Sequence, residues 1–187
     1  MKLPGPDLLG IAFGCSELAL SIFKRSQGTA RRADDRTLAL LWITILVSIA
    51  VAVMSATLLP QARSRVLEFL YPLGLALFVM GLALRWWAIV HLGRFFTVDV
   101  AIAADHHVVD TGPYRFVRHP AYTGVIVAFV GYGICLGNWV ALLAVAGPIT
   151  FAFLQRIKVE EAALQAALGD AYSNYAQRTR ALLPFVY

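Results

Sequence analysis

The stretch AYTGVIVAFVGYGICLGNWVALLAVAGPITFAFL, Ala121 to Leu154, decides the fold. It contains no charged residue. Only Gly137-Asn138 interrupts it, a dipeptide that favours a turn. Ala121–Leu136 and Trp139–Leu154 each run for about 16 residues, or about 24 Å at 1.5 Å per helical residue. That is short of a full hydrocarbon core of about 30 Å. The pair therefore reads as a tight helical hairpin. Gly124, Ala128, Gly131, Gly133 and Gly137 are small enough to let its helices pack closely.

Three further apolar runs precede it. Leu8–Phe23 is short and weakened by Glu17. Thr37–Leu59 is a clear span ended by Pro60. Val66–His91 is long enough to tilt, with Pro72 either kinking it or marking its effective start. The expected fold is an all-α integral membrane protein of about five transmembrane helices. Composition agrees: 59% of residues are hydrophobic and 14% charged, against about 45–50% and 25% in soluble domains. The net charge of +5 is accordingly read as a topology signal, not as a nucleic-acid footprint. Cys15 and Cys135 lie in apolar runs and suggest no disulfide framework or zinc motif. The first run lacks a small-residue cleavage site and does not resemble a signal peptide.

Of 16 basic residues, 12 lie in the Lys24–Arg36 loop, the His91–Arg118 segment and the tail. Three, Lys2, Arg63 and Arg65, fall on the other side, and Arg85 is expected to snorkel from the third span toward the basic face. The positive-inside rule then puts the N-terminus outside and the tail in the cytoplasm. The expected location is a plasma membrane, such as a bacterial inner membrane, in contact with membrane lipids.

On the cytoplasmic face stands GPYRFVRHPAY, Gly112–Tyr122. Gly112-Pro113 signals a turn. Pro120 holds His119 out of helical geometry and suits the first turn of the next helix. The result is a rigid polar collar. It suits either a binding site or an interfacial belt of Tyr at headgroup depth and Arg on lipid phosphates. A second cluster is RIKVEE, where Arg156 and Glu160 share a helical face and suit an i,i+4 ion pair. Glu161 falls on the stripe of Ile157, Leu164 and Leu168, where a carboxylate is costly without a partner. The tail is expected to be helical to Leu168, stop at Gly169 and restart with Asp170 as cap. DHHVVD, Asp105–Asp110, lacks metal-ligand spacing, so no metal is expected.

HHVVDTGPYRFVRHPAYTG, followed by the hairpin and RIKVEEAALQAALGDAYSNYAQRTRALLP, resembles the isoprenylcysteine carboxyl methyltransferase family, which is related to membrane phospholipid methyltransferases. The resemblance covers roughly Leu92–Pro184. It implies an S-adenosylmethionine-dependent methyltransferase with a cytosolic C-terminal helical cofactor region and a lipid-side tunnel for an apolar acceptor. Residues 1–187 then form one domain: three N-terminal helices (1–91), then the cofactor loop, hairpin and C-terminal helices (92–187). By position, the resemblance assigns His106, His107, Val108, Val109, Tyr114, His119, Pro120, Ala121, Tyr122 and Glu160 to the cofactor, and Arg156 to the substrate. A carboxylate acceptor is ionised at pH 7 and needs only a cation to hold it. An amine would need a base, for which Glu161 or a histidine is the candidate. The implied acceptor is an isoprenylcysteine-like carboxylate, as a lipophilic small molecule or a lipid-anchored protein. A lipid amine, a thiol, or a non-catalytic role in transport or assembly are the alternatives.

Overall fold

The computed structural model describes residues 3–23, 31–32, 35–96, 101–102 and 107–183. These residues form seven α-helices: α1 (Pro6–Phe23), α2 (Asp35–Leu58), α3 (Arg65–Phe69), α4 (Tyr71–Leu92), α5 (Pro120–Cys135), α6 (Trp139–Leu168) and α7 (Asp170–Arg178). A two-residue antiparallel pair joins β1 (Arg31–Arg32) to β2 (Ala101–Ile102). Three helical stretches are long and apolar enough to cross a membrane: Thr37–Leu58, Tyr71–Phe95 and Trp139–Leu168. α5 is apolar but shorter. Leu46, Val90 and Leu143 are among the large apolar side chains that face outward, as they would toward lipid.

The closest helix crossing is that of α4 on α5, and glycines make it. A Cβ on Gly81 would lie 2.5 Å from the Gly124 carbonyl oxygen, and one on Gly131 would lie 2.5 Å from that of Gly74. The two contacts are seven residues apart on each helix, so the backbones run antiparallel in van der Waals contact. This corrects the expected role of the small-residue stripe. Gly124, Ala128 and Gly131 face α4, and of the stripe's helical positions only Gly133 meets α6, against Leu142 and Val145. The reason is periodicity: 124, 128 and 131 share one face at spacings of four and three, while 133 points elsewhere.

Proline 72 sits in the first turn of α4 and separates it from α3, so the Val66–His91 run is two helices. The span Trp139–Leu154 and the helical tail are one continuous 30-residue helix, α6. At about 45 Å, it is longer than a bilayer core of about 30 Å, and Arg156 to Glu161 stand in its C-terminal half. Gly169, at φ +54, ends α6 and itself caps α7, so Asp170 is the first residue of α7 and not its cap.

Two faces result. On one, Asn138 caps α6 through the Ala141 amide and donates to the Ser55 and Leu59 carbonyls of α2 and its exit. The Tyr71 hydroxyl bonds the Pro4 carbonyl there too. On the other face lie the 112–119 segment, the polar half of α6, and α7.

Candidate active site

The collar is held by the chain's C-terminal segment. The Arg118 and His119 amides donate to the Arg180 and Ala181 carbonyls at 2.8 and 3.0 Å. The Thr123 hydroxyl donates to the Leu182 carbonyl at 2.8 Å. Gly112, at φ +57, lies against the His91 ring, where a Cβ would clash at 2.6 Å. Pro113 opens a turn that buries Tyr114. The Tyr114 hydroxyl donates to the Ala88 carbonyl at 3.3 Å, and the Tyr175 hydroxyl donates to the Tyr114 carbonyl at 2.7 Å. Burial, then the charge of Glu160, pushes the Tyr114 phenol well above its ordinary range, so it stays a donor.

Pro120 starts α5, which aims His119 and Tyr122 at α6. Their rings stack with centroids 5.5 Å apart and planes 5° apart. The Tyr122 hydroxyl donates to Glu160 Oε2 at 2.6 Å and accepts from Arg156 Nε at 3.2 Å. Arg156 and Glu160 are thus joined through Tyr122. Arg156 is only 2% exposed, and its Nη1 reaches the Thr37 hydroxyl at 3.5 Å.

Glu161 lies beside this relay with different partners. Its Oε1 accepts from Arg118 Nε at 2.6 Å and from His119 Nε2 at 3.1 Å. A carboxylate only accepts, so the His119 proton sits on Nε2. Burial raises the Glu161 carboxyl, but the hydrogen bonds from His119 and Arg118 outweigh it and hold it at about 2. Arg118 Nη1 donates to the Ala176 and Thr179 carbonyls. Its partners are therefore protein groups, a role that neither the pocket nor the lipid reading of the collar arginines anticipates.

Tyr114, His119, Tyr122, Arg156, Glu160 and Glu161 are thus brought together. His107 is exposed, edge-on to the Phe95 ring at 4.8 Å. Val108 is half-buried, and Val109 packs against the cluster that contains Tyr114 and Ala121. Pro120 and Ala121 are buried, and the Ala121 carbonyl accepts from Arg85 Nη1 at 3.4 Å. His106 lies outside the described residues. Among the described residues no group of His, Cys, Asp and Glu could hold a metal.

Next to the relay is a cavity with about 430 Å³ of empty space, its open mouth included. Leu38, Leu41, Trp42, Ile45, Val125 and Phe153 make its apolar walls, and Arg156 and Tyr122 its polar end. Glu17 and Arg85 also line it. Contrary to the expectation from its place in the span, Arg85 does not snorkel. It forks onto both Glu17 oxygens at 2.8 Å, and both side chains are buried. This pair escapes a span-by-span reading. Its signal was one acid and one base inside separate apolar runs, each needing a partner.

The family model for the isoprenylcysteine carboxyl methyltransferase family matches residues 74–166. A protein-S-isoprenylcysteine O-methyltransferase B of Arabidopsis thaliana is 36% identical over 115 residues, covering 60% of this chain and 58% of that one. A methanethiol S-methyltransferase 1 of Bradyrhizobium diazoefficiens is 38% identical over 78 residues, 38% of this chain and 24% of that one. The structure described as the eukaryotic intramembrane Ras methyltransferase, an isoprenylcysteine carboxyl methyltransferase, superposes with a TM-score of 0.69 at 25% identity, covering 95% of this chain and 64% of that chain. The chain thus spans less than two thirds of the length of these relatives. Its apolar helices and these likenesses make it an integral membrane protein. Over residues 74–166, which hold the glycine crossing, the collar and the Arg156–Glu161 cluster, the chain belongs to the isoprenylcysteine carboxyl methyltransferase family.

Proposed function

We propose that this protein is an S-adenosylmethionine-dependent membrane methyltransferase that methylates the carboxylate of an isoprenylcysteine-like acceptor, free or lipid-anchored. The observation that carries the reading is the Arg156–Tyr122–Glu160 relay, which joins an apolar cavity to a polar collar. Five helices crossing the bilayer, with the N-terminus outside and the collar in the cytoplasm, complete the reading; the arginine distribution supports it.

The collar's chemistry fits a cationic, hydroxyl-rich cofactor. Glu160 gives Tyr122 one oxygen, and its other oxygen has no hydrogen bond among the described residues. Tyr114, His119 and Tyr122 would supply the walls. When bound, the cofactor supplies an electrophilic methyl group. Arg156 holds the acceptor's carboxylate at the polar end of the cavity, where a planar guanidinium can grip both oxygens. No base is needed, because that carboxylate is already ionised. Tyr122 fixes the Arg156 fork relative to Glu160, so acceptor and cofactor sites keep one register. Glu161, held ionised by Arg118 and His119, braces the collar. It acts as a base only where an amine replaces the carboxylate.

Thiol S-methylation is the second reading, favoured by the likeness to the Bradyrhizobium protein. A labelled-methyl transfer screen in membranes, over prenylcysteine analogues, thiols and phospholipids, decides between them. Label on the prenylcysteine carboxylate supports the first reading, and label on thiols alone replaces it. Failure of the folded, purified protein to bind S-adenosylmethionine would favour a non-catalytic transport or assembly role. Glu160→Gln should weaken cofactor binding about tenfold with insertion intact. Arg156→Ala should abolish turnover and largely keep cofactor binding.

A further inference from the structure

The wall of the cavity beside Arg156 carries charged groups that the methyl transfer itself does not use. Leu38, Leu41, Trp42 and Ile45 present one helical stripe of α2 to the cavity. Those walls suit an apolar chain. Glu17 of α1 and Arg85 of α4 line the same cavity, although they are only 6% and 7% exposed. Stability does not account for them there. A buried ion pair is on balance no better for a fold than well-packed apolar side chains.

The pair is held in place and still has bonding capacity. The Trp86 indole N–H donates to the Ser16 hydroxyl at 2.8 Å, next to the Arg85 fork on Glu17, so two adjacent contacts fix α1 against α4. Each Glu17 oxygen accepts one bond from Arg85, and a carboxylate oxygen can accept two. Arg85 carries five N–H donors. Two meet Glu17 and one reaches the Ala121 carbonyl, which leaves one on each terminal nitrogen without an acceptor among the described residues. The fork also cancels the charge. What lines the cavity is therefore neutral overall, with acceptor and donor sites side by side. It offers a lone ammonium or a second carboxylate no net attraction. It matches an amide, whose N–H would meet Glu17 and whose C=O would take a spare N–H of Arg85.

We propose that Glu17 and Arg85 are specificity-determining residues that read an amide on the acceptor's α-carbon. The inference rests on the carboxylate reading above and narrows its acceptor to an N-acylated prenylcysteine, as at the end of a peptide. In such a molecule the carboxylate and the amide nitrogen stand on one carbon, so a site for one must adjoin a site for the other. Neighbouring residues of α5 meet this requirement: Arg85 reaches the Ala121 carbonyl, and Arg156 reaches the Tyr122 hydroxyl. The pair also excludes. A fatty acid offers Arg156 the same carboxylate and the walls the same kind of chain. It lays methylene groups against the open donors and acceptors of the fork, which costs them their polar partners. A site built to hydrogen-bond its ligand rejects an analogue that lacks the bonding group.

The test uses full-length protein in detergent and measures methyl transfer to three acceptors that share one S-farnesyl chain and one carboxylate. N-acetyl-S-farnesylcysteine has the amide, S-farnesylcysteine has a free amine, and S-farnesylthiopropionate has no nitrogen. The wild type should favour the N-acetyl compound over each of the others by about tenfold or more in kcat/KM, the weight of a hydrogen bond to a charged group. Glu17→Met with Arg85→Met leaves no buried charge unpaired. Its preference over the thiopropionate should fall to about one, through KM. Equal methylation of all three by the wild type overturns the proposal, whatever the variant does. So does a preference for the free amine, which would make Glu17 an ammonium site. A double variant that keeps the wild-type ratio at a lower rate, or does not fold, also overturns it, because the pair then serves only the fold. Wild-type protein that methylates none of the three defeats the carboxylate reading as well, which separates the two failures.

Discussion

The α4–α5 crossing and the collar hold α5 to its neighbours by opposite means. At the crossing, backbone meets backbone: Gly74, Gly81, Gly124 and Gly131 leave no room for a side chain. At the collar, α5 reaches α6 and the C-terminal segment through long polar side chains, with Arg118, His119, Tyr122 and Glu161 each bonded to a named group. Inside lipid, apolar surface is no driving force between helices, so close packing must supply the contact. At the membrane surface, hydrogen bonds position groups and leave some free to meet a ligand. The first region is closed, and in the proposed function the second is completed by a ligand. The Glu17–Arg85 pair is the exception, an ionic contact placed among the apolar helices.

That exception should give the largest effect. Arg85→Met alone strands Glu17 in an apolar setting and should cost about 3–5 kcal/mol, whereas Glu17→Met with Arg85→Met should recover most of it. Thermal unfolding in detergent measures both. A single variant as stable as the parent would mean the pair is not buried as a unit. Gly124→Leu should come next, at about 1–3 kcal/mol or more, because the neighbours it meets are backbone atoms that cannot yield. Its signature is loss of monodisperse protein on size exclusion, and a normal profile would undo the close-crossing account. Tyr122→Phe keeps the ring stack and removes the bridge between Arg156 and Glu160. It should lower turnover about tenfold with melting nearly unchanged. A large drop in melting temperature with normal turnover would make the bridge a brace instead.

The smallest effect is a pH response. The Glu161 carboxyl is depressed from its ordinary 4.5 to about 2. A depressed carboxyl stabilises the folded form fully above the unfolded value and loses that contribution as pH falls through the folded one. Stability should therefore be level above about pH 5 in this respect and decline toward pH 2. Glu161→Gln should flatten part of that decline, seen as converging melting temperatures at low pH.

Much was legible from the chain alone. Uncharged runs of helical length have few alternatives in lipid, since unpaired backbone groups are too costly there. Hence the three long apolar helices, the turn at Gly137-Asn138 and the proline-fixed collar follow from local rules. Glu160 and Tyr122 also stand out in the sequence, because a motif carries residue types at fixed spacing. Partner choice was not legible. Nothing local says that Gly124 faces Gly81 of α4 across a 43-residue separation and not α6 next door, that Arg118 grips Glu161, or that Glu17 finds Arg85 68 residues away. A helix offers several faces, and periodicity tells which residues share one without telling what covers it. Tyr172 shows the same limit most plainly: the sequence determines that a tyrosine stands there, but only the packing of α7 against α6 and the collar buries its hydroxyl and leaves it without a partner.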